Sequence, residues 1–155
     1  MPIPDDKLTM ISAMHGVSPH AGALGLETVG FEGEIVILKA PYRSELVGDP
    51  ETGVIAGGVV TTLLDHACGQ AVMAALEELT VIATLDLRID YMRAAEPGLD
   101  VFCRAHCYKV TRSVAFVRAT AYDRDPDDPV AAAQAAFMLN SSSGRFGANL
   151  RPRQS

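Results

Sequence analysis

The densest chemistry in the chain lies where two glycines open an apolar helix that carries a carboxylate: Gly57-Gly58-Val59-Val60-Thr61-Thr62-Leu63-Leu64-Asp65-His66-Ala67-Cys68-Gly69. Apolar or small residues hold nearly every helical phase from Val59 to Leu76, which predicts a long helix wrapped by a sheet with Asp65 buried in it. An ionised aspartate there is costly unless paired or hydrogen-bonded. Either it bonds a neighbouring hydroxyl or amide for structure alone, or it takes protons from, or attacks, a reacting group. Glycines at a helix start leave backbone N–H groups unblocked, where the helix dipole favours negative charge, so Gly57 and Gly58 could hold an oxyanion. Eight residues separate Gly57 from Asp65, roughly 12 Å along the axis at about 1.5 Å per residue. One chain cannot bring both to one carbonyl group. If both serve one centre, a second copy supplies one of them, and a dimer or a dimer of dimers with composite sites follows.

The rest of the composition removes competing classes. The length of 155 residues supports one core and leaves no room for a second domain. A formal charge of −6 argues against a nucleic-acid surface or a polybasic membrane contact, so an anionic ligand would need a local basic patch. The opening Met-Pro-Ile-Pro-Asp-Asp-Lys lacks a basic and then apolar leader pattern, and no apolar stretch reaches membrane length, so a cytoplasmic location is expected. Cys68, Cys103 and Cys107 read as reduced core thiols. Cys103-x-x-His106-Cys107 suggests a metal, but in a strand His106 points away from the two cysteines and no second ligand cluster exists, so no metal is expected.

The elements that must position Asp65 and the glycines follow from periodicity. Asp5 or Asp6 caps a short helix to about Met14, and residues 1–19 form this helix and a linker broken at His15-Gly16-Val17-Ser18-Pro19. Strands are expected over Leu24–Val29 and Glu34–Ala40 around a Gly30-Phe31-Glu32-Gly33 turn, then a loop from Glu45 to Val54 that walls the glycine pair. Further strands run over Val81–Met92, Leu99–Val110, Ser113–Asp123 and Pro129–Leu139. In the first of these, strict alternation puts Ala83, Leu85, Leu87, Ile89 and Tyr91 on one face and Thr84, Asp86, Arg88 and Asp90 on the other. Residues 141–155 read as a flexible tail. The class is α+β, a curved antiparallel sheet wrapped around one long central α-helix.

Over residues 20–140 the chain resembles the hotdog-fold acyl-CoA thioesterases of the phenylacetate-degradation type. Three segments carry the resemblance: Ala56 to Asp65, Thr84-Leu85-Asp86-Leu87-Arg88-Ile89-Asp90-Tyr91-Met92-Arg93, and Lys109-Val110-Thr111-Arg112-Ser113-Val114-Ala115-Phe116. It implies a hotdog fold and two chains sharing one extended sheet, with sites between their helices. Asp65 would be the nucleophile or general base, Gly57 the N–H donor to the thioester oxygen, and Thr84 the residue that orients the lytic water. Gly58, Asp86, Tyr91, Lys109, Arg112 and Ser113 would contact substrate, coenzyme A being part of that substrate, with no separate cofactor. Lys109, Arg112 and Arg93 offer the basic patch that an acidic protein needs for coenzyme A, although Lys109 and Arg112 could equally be solvated turn residues. Arg88 and Arg118 could instead pair with Asp86, Asp90 or Asp123.

Two positions depart from the family pattern. Its histidine is Ala56 here, and a polar loop residue falls on Pro50. Both changes remove hydrogen-bonding groups near the thioester, which leaves a non-catalytic acyl-CoA binding or sensing domain as the alternative to hydrolysis of small aromatic or medium-chain acyl-CoA. A hotdog dehydratase fits less well, because that chemistry leans on a histidine base. His66 lies one residue from Asp65, about 100° round the helix, and reads as a packing or dimer contact.

Overall fold

A computed structural model describes residues 3–13 and 18–139. Helix α1 (Asp5–Ala13) and helix α2 (Pro19–Leu24) precede strands β1 (Glu27–Glu32) and β2 (Ile35–Ala40). A small hairpin, β3 (Val47–Asp49) with β4 (Val54–Ile55), leads into helix α3 (Gly57–Ala75). Strands β5 (Ile82–Tyr91), β6 (Val101–Val110), β7 (Val114–Tyr122) and β8 (Ala131–Leu139) complete the chain. The main sheet has six strands in the order β1-β2-β6-β7-β8-β5, with every pairing antiparallel, and α3 lies across one face: the hotdog arrangement.

The core follows from alternation on the strands. Residues 131, 133, 135, 137 and 139 of β8 and 115, 117, 119 and 121 of β7 are buried against α3, while intervening residues turn to the outer face. From α3, Val60, Leu63, Leu64, Ala67, Cys68, Ala71 and Val72 fill that face. Small alanines on β7 and β8 let the long helix approach the sheet closely.

The turn between β1 and β2 is Gly33-Glu34, since Gly30, Phe31 and Glu32 pair within β1, and three further expectations change. Helix α2 replaces the start of the expected strand at Leu24: Ser18 accepts a hydrogen bond from the Ala21 N–H, Pro19 sits in the first turn, and Gly25 ends the helix at φ 68°. The expected loop before α3 is partly the β3/β4 hairpin, held by Tyr42 Oη donating to Gly53 O at 2.7 Å. Third, α3 is not covered all round. It packs mainly on β6, β2 and β7 and more lightly on β8 and β5, so the stripe Gly58, Thr61, Thr62, Asp65, His66 and Gly69 stays at least partly open and Asp65 is half-buried rather than buried. No described helix is long and apolar enough to cross a membrane. Met14 and the expected tail from 141 lie outside the described residues.

Candidate active site

Two clusters form along the open stripe of α3. In the first, Thr84 of β5 donates its hydroxyl to Asp65 Oδ1 at 2.9 Å. Strict alternation would turn Thr84 away from the helix, as the sequence suggests, but β5 carries a bulge: Thr84 pairs with Phe137 and Asp86 with Ala136, leaving Leu85 as the extra residue. Before the bulge Ile82 and Thr84 face the core partners Leu139 and Phe137, and after it Leu87, Ile89 and Tyr91 face Ala135, Ala133 and Ala131. One inserted residue thus brings both Thr84 and Tyr91 to the helix side, although seven positions separate them. The Thr84 hydroxyl proton is committed to Oδ1, which leaves Asp65 Oδ2 available to a proton or an electrophile.

The second cluster lies at the start of α3. Ala56 occupies the cap position and makes no side-chain cap, and the Val59 N–H turns back to Ala56 O at 3.0 Å. Gly57 and Gly58 are exposed, and the first turn of a helix has no intrahelical partners for its amides. A Cβ at Gly58 would meet nothing within 4 Å, and one at Gly57 would find only Tyr91 Oη at 3.9 Å. Neither glycine has a positive φ. Among the described residues nothing demands glycine at either position, so bare backbone there suits close approach by another molecule. Tyr91 Oη donates to Gly57 O at 2.9 Å, Thr61 Oγ1 donates to the same oxygen at 3.1 Å, and the two hydroxyls lie 2.6 Å apart. A cavity of about 370 Å³ opens beside Gly57, with Val54, Ile55, Val60, Ala95 and Val130 as apolar wall and Tyr91 at one side. The wall expected from the loop before α3 is there, in Val54 and Ile55 of β4.

The remaining candidates spread over the sheet. Asp86 is on the outer face, in one row with Ala136, Phe116 and Lys109, three strand spacings or about 14 Å from Lys109. Lys109, Arg112 and Ser113 are exposed around the β6–β7 turn, which Thr111 closes by donating to Val114 O at 2.8 Å. Leu139 N–H donates to Ser113 O at 2.8 Å, placing this turn at the end of the sheet where β5 begins, the end opposite Tyr91. Within one chain, therefore, Asp65 meets Thr84 and Gly57 meets Tyr91, while Asp86 and the basic turn stand apart from both pairs.

Arg93 does not join a basic patch. It is forked onto Asp123 at 2.8 and 2.6 Å and donates to Asp128 O at 2.7 Å. These bonds, with the Glu96 and Arg124 N–H groups, hold the Asp123 carboxyl well below the usual carboxylate range. Arg124 is itself forked onto Glu96, so the segment after β5 is pinned to the β7–β8 turn. Arg88 pairs with Asp90 at 3.2 Å, whereas Arg118 lies over the Tyr108 ring at 4.5 Å instead of pairing with an acid. Cys103 and Cys107 are buried, and His106 faces Glu34 at 3.3 Å. Burial pushes the Cys68 thiol up to about 12. Pro50 lies exposed in the β3–β4 turn, and it is Gly48, not Pro50, that meets Ala56: a Cβ at Gly48 would fall 2.8 Å from Ala56 Cα.

Thr61 is the residue that sequence reasoning passed over. It lies four residues after Gly57, the spacing at which a helical threonine bonds back to a carbonyl.

Residues 52–130 match the Thioesterase superfamily. A Pseudomonas aeruginosa protein of known crystal structure is 40% identical, with 86% of this chain and 99% of that chain covered and a TM-score of 0.79. A Ralstonia eutropha protein described as a phenylacetic acid degradation-related thioesterase is 25% identical, with 83% of this chain and 98% of that one covered and a TM-score of 0.69. A Halobacterium salinarum protein described as an esterase is 38% identical over 65 residues, 40% of this chain and 43% of that protein, so the match spans less than half of this relative's length. With half the chain inside the family's signature region and a structural relative aligned from end to end, the chain belongs to the thioesterase superfamily.

Proposed function

We propose that the protein hydrolyses acyl-CoA thioesters carrying small aromatic or medium-chain acyl groups, in sites shared by two copies. The observation that carries this is the Asp65–Thr84 pair on the open stripe of α3, in line with an uncapped Gly57–Gly58 start. Thr61 lies midway between Gly57 and Asp65, so a two-fold axis near it that reverses a second α3 sets one copy's Gly57 opposite the other copy's Asp65. The edge strand β5 supports such a partner. It is paired on one side only, so its outer backbone groups are open to a second strand, and Leu85 and Tyr91 are 56% and 51% exposed on it beside the charged Asp86, Arg88 and Asp90.

In this reading Asp65 Oδ2 takes a proton from water while the water oxygen attacks the thioester carbon. The Gly57 amide carries the charge that develops on the carbonyl oxygen. The C–S bond then breaks, and the proton held by Asp65 passes to the departing thiolate, giving free acid and coenzyme A. The apolar cavity beside Gly57 suits an acyl group of modest size. Lys109 and Arg112 are exposed cations that suit the phosphates of coenzyme A, with Ser113, Asp86 and Gly58 as further contacts.

The test is thiol release from a panel of aromatic and medium-chain acyl-CoA esters. The three protein thiols are buried and add little background. Wild type is expected to turn over at least one ester and to sediment as a dimer or larger, and Asp65→Asn to lose about a thousandfold in kcat with its melting temperature kept. Wild-type turnover in Asp65→Asn, or a hydrolysing monomer, would sink the composite site. Tight acyl-CoA binding without hydrolysis by wild type would establish the binding-module alternative.

A further inference from the structure

The hydroxyls at the start of α3 form a closed set with an uneven proton count. Tyr91 Oη, Thr61 Oγ1 and Gly57 O make three short oxygen–oxygen contacts, at 2.9, 3.1 and 2.6 Å, and only two hydroxyl protons are available for them. At most two of the three hydrogen bonds are made at once, and every such pair includes at least one that ends on Gly57 O. That carbonyl belongs to the peptide joining Gly57 to Gly58. Because the peptide is planar and trans, the N–H across from it, on Gly58, points the opposite way and turns with it. A carbonyl that accepts hydrogen bonds also polarises its own peptide and makes that N–H a stronger donor.

We propose that Tyr91 and Thr61 are positioning residues that hold and strengthen the Gly58 N–H as a second donor to the thioester oxygen, beside that of Gly57. The proposal rests on the hydrolase reading above and assigns Tyr91 a different task from the coenzyme A contact that the family resemblance implies. Three features support it. A Cβ at Gly58 would meet nothing within 4 Å, so its amide is approachable. Thr62 Oγ1 donates to Gly58 O at 2.9 Å, so the next peptide is polarised in the same sense. Tyr91 comes from the last position of β5, so the clamp ties the direction of the donor to the edge where a second copy would pair. Tyr91 is half exposed in the single chain, where water competes for its hydroxyl, so the clamp gains strength once a partner or substrate covers it.

The experiment compares Tyr91→Phe, Thr61→Val, the double variant and Tyr91→Phe/Thr61→Ser on the best ester of the panel. It also measures the affinity of each for a thioether analogue of that ester, which has no carbonyl to become charged. Tyr91→Phe is expected to lower kcat about tenfold with KM within about twofold, and the double variant about a hundredfold, since two routes to one carbonyl are lost. Tyr91→Phe/Thr61→Ser should match Tyr91→Phe alone, because serine restores the second hydroxyl. Thioether affinity and melting temperature should stay near wild type throughout. A raised KM and weaker thioether binding at constant kcat would make Tyr91 a substrate contact and overturn the clamp. Full kcat with a lower melting temperature would reduce it to a structural tie and likewise overturn it. An active wild type with an equally active double variant sinks the clamp alone, whereas a wild type that hydrolyses nothing removes the hydrolase reading and the clamp with it.

Discussion

Helix α3 ends at Ala75 beneath a cation borrowed from another element, and it begins at Gly57 with nothing on its cap. At the C-terminal end, Lys7 of α1 reaches across and donates its ammonium protons to Ala74 O, at 2.9 Å, and to Leu76 O. The last turn of α3 has no basic residue, so Lys7 supplies the charge that the dipole favours there, and burial lowers its own affinity for the proton. At the N-terminal end Ala56 offers no side-chain acceptor and both glycines are exposed. A threonine or aspartate in place of Ala56 would add about 1 kcal/mol of helix stability. The difference shows where the chain spends its hydrogen-bonding groups: one end is closed within the chain, and the other keeps its amides for something outside it.

The surroundings of the open end are nonetheless held firmly. Arg93 and Ala95 line the cavity beside Gly57, and Arg93 is fixed by Asp123, whose side chain is only 2% exposed. Asp123→Asn is expected to cost about 3 kcal/mol near neutral pH, because it removes the charge opposite Arg93. The Asp123 carboxyl is held below its ordinary value, chiefly by the Arg93 hydrogen bonds. A depressed native value contributes stability that is complete above the unfolded value of about 4 and lost as pH falls toward the native one. The gap between wild type and Asp123→Asn should therefore be full above about pH 5 and shrink below about pH 4. Denaturant melts across that range are the measurement, and a gap that widens on acidification would overturn the pairing.

The closed end gives a smaller and cleaner effect. Lys7→Met keeps the aliphatic stem but strips the two carbonyls of their donor, and should cost about 2 kcal/mol of stability. Turnover should not change, since the closed end is a full helix length from the glycines. A fall in kcat at temperatures well below the melt would mean that the two ends are coupled through the helix, and the division between them would fail.

That division was only partly readable from the residues. The periodicity from Val59 to Leu76 identifies the helix, and the glycine pair marks its open start, because both are local signals. Lys7 lies 67 residues from Ala74, and Arg93 30 from Asp123, so no local pattern could reveal either pairing. The Thr84–Asp65 contact was hidden for a different reason. The alternation in β5 is unbroken in sequence, yet the strand slips by one residue at Leu85, and a bulge of this kind has no residue signature here. Helix α2, by contrast, has local signals: Ser18-Pro19 followed by Gly25 carries a cap, a first-turn proline and a left-handed stop, all legible without a structure.

Gly58→Ala sharpens the contrast at the open end. Inside a helix, alanine is favoured over glycine by about 1 kcal/mol, and a Cβ at position 58 would meet none of the described residues within 4 Å. If folding alone governed the site, the substitution would be an improvement in every respect. The variant should indeed melt a few degrees higher, by the usual scaling for a domain of this size. Activity should move the other way. The added methyl stands next to the amide proposed above as a donor to the thioester oxygen, and kcat/KM should fall about tenfold on the ester that wild type prefers, with the N–H itself still present. Gain in stability with loss of activity is the expected pair, read from one preparation by thermal melting and thiol release. A variant more stable and equally active would show that the bare backbone at Gly58 serves neither substrate nor partner, and the open end of α3 would then begin no nearer to the chemistry than Gly57.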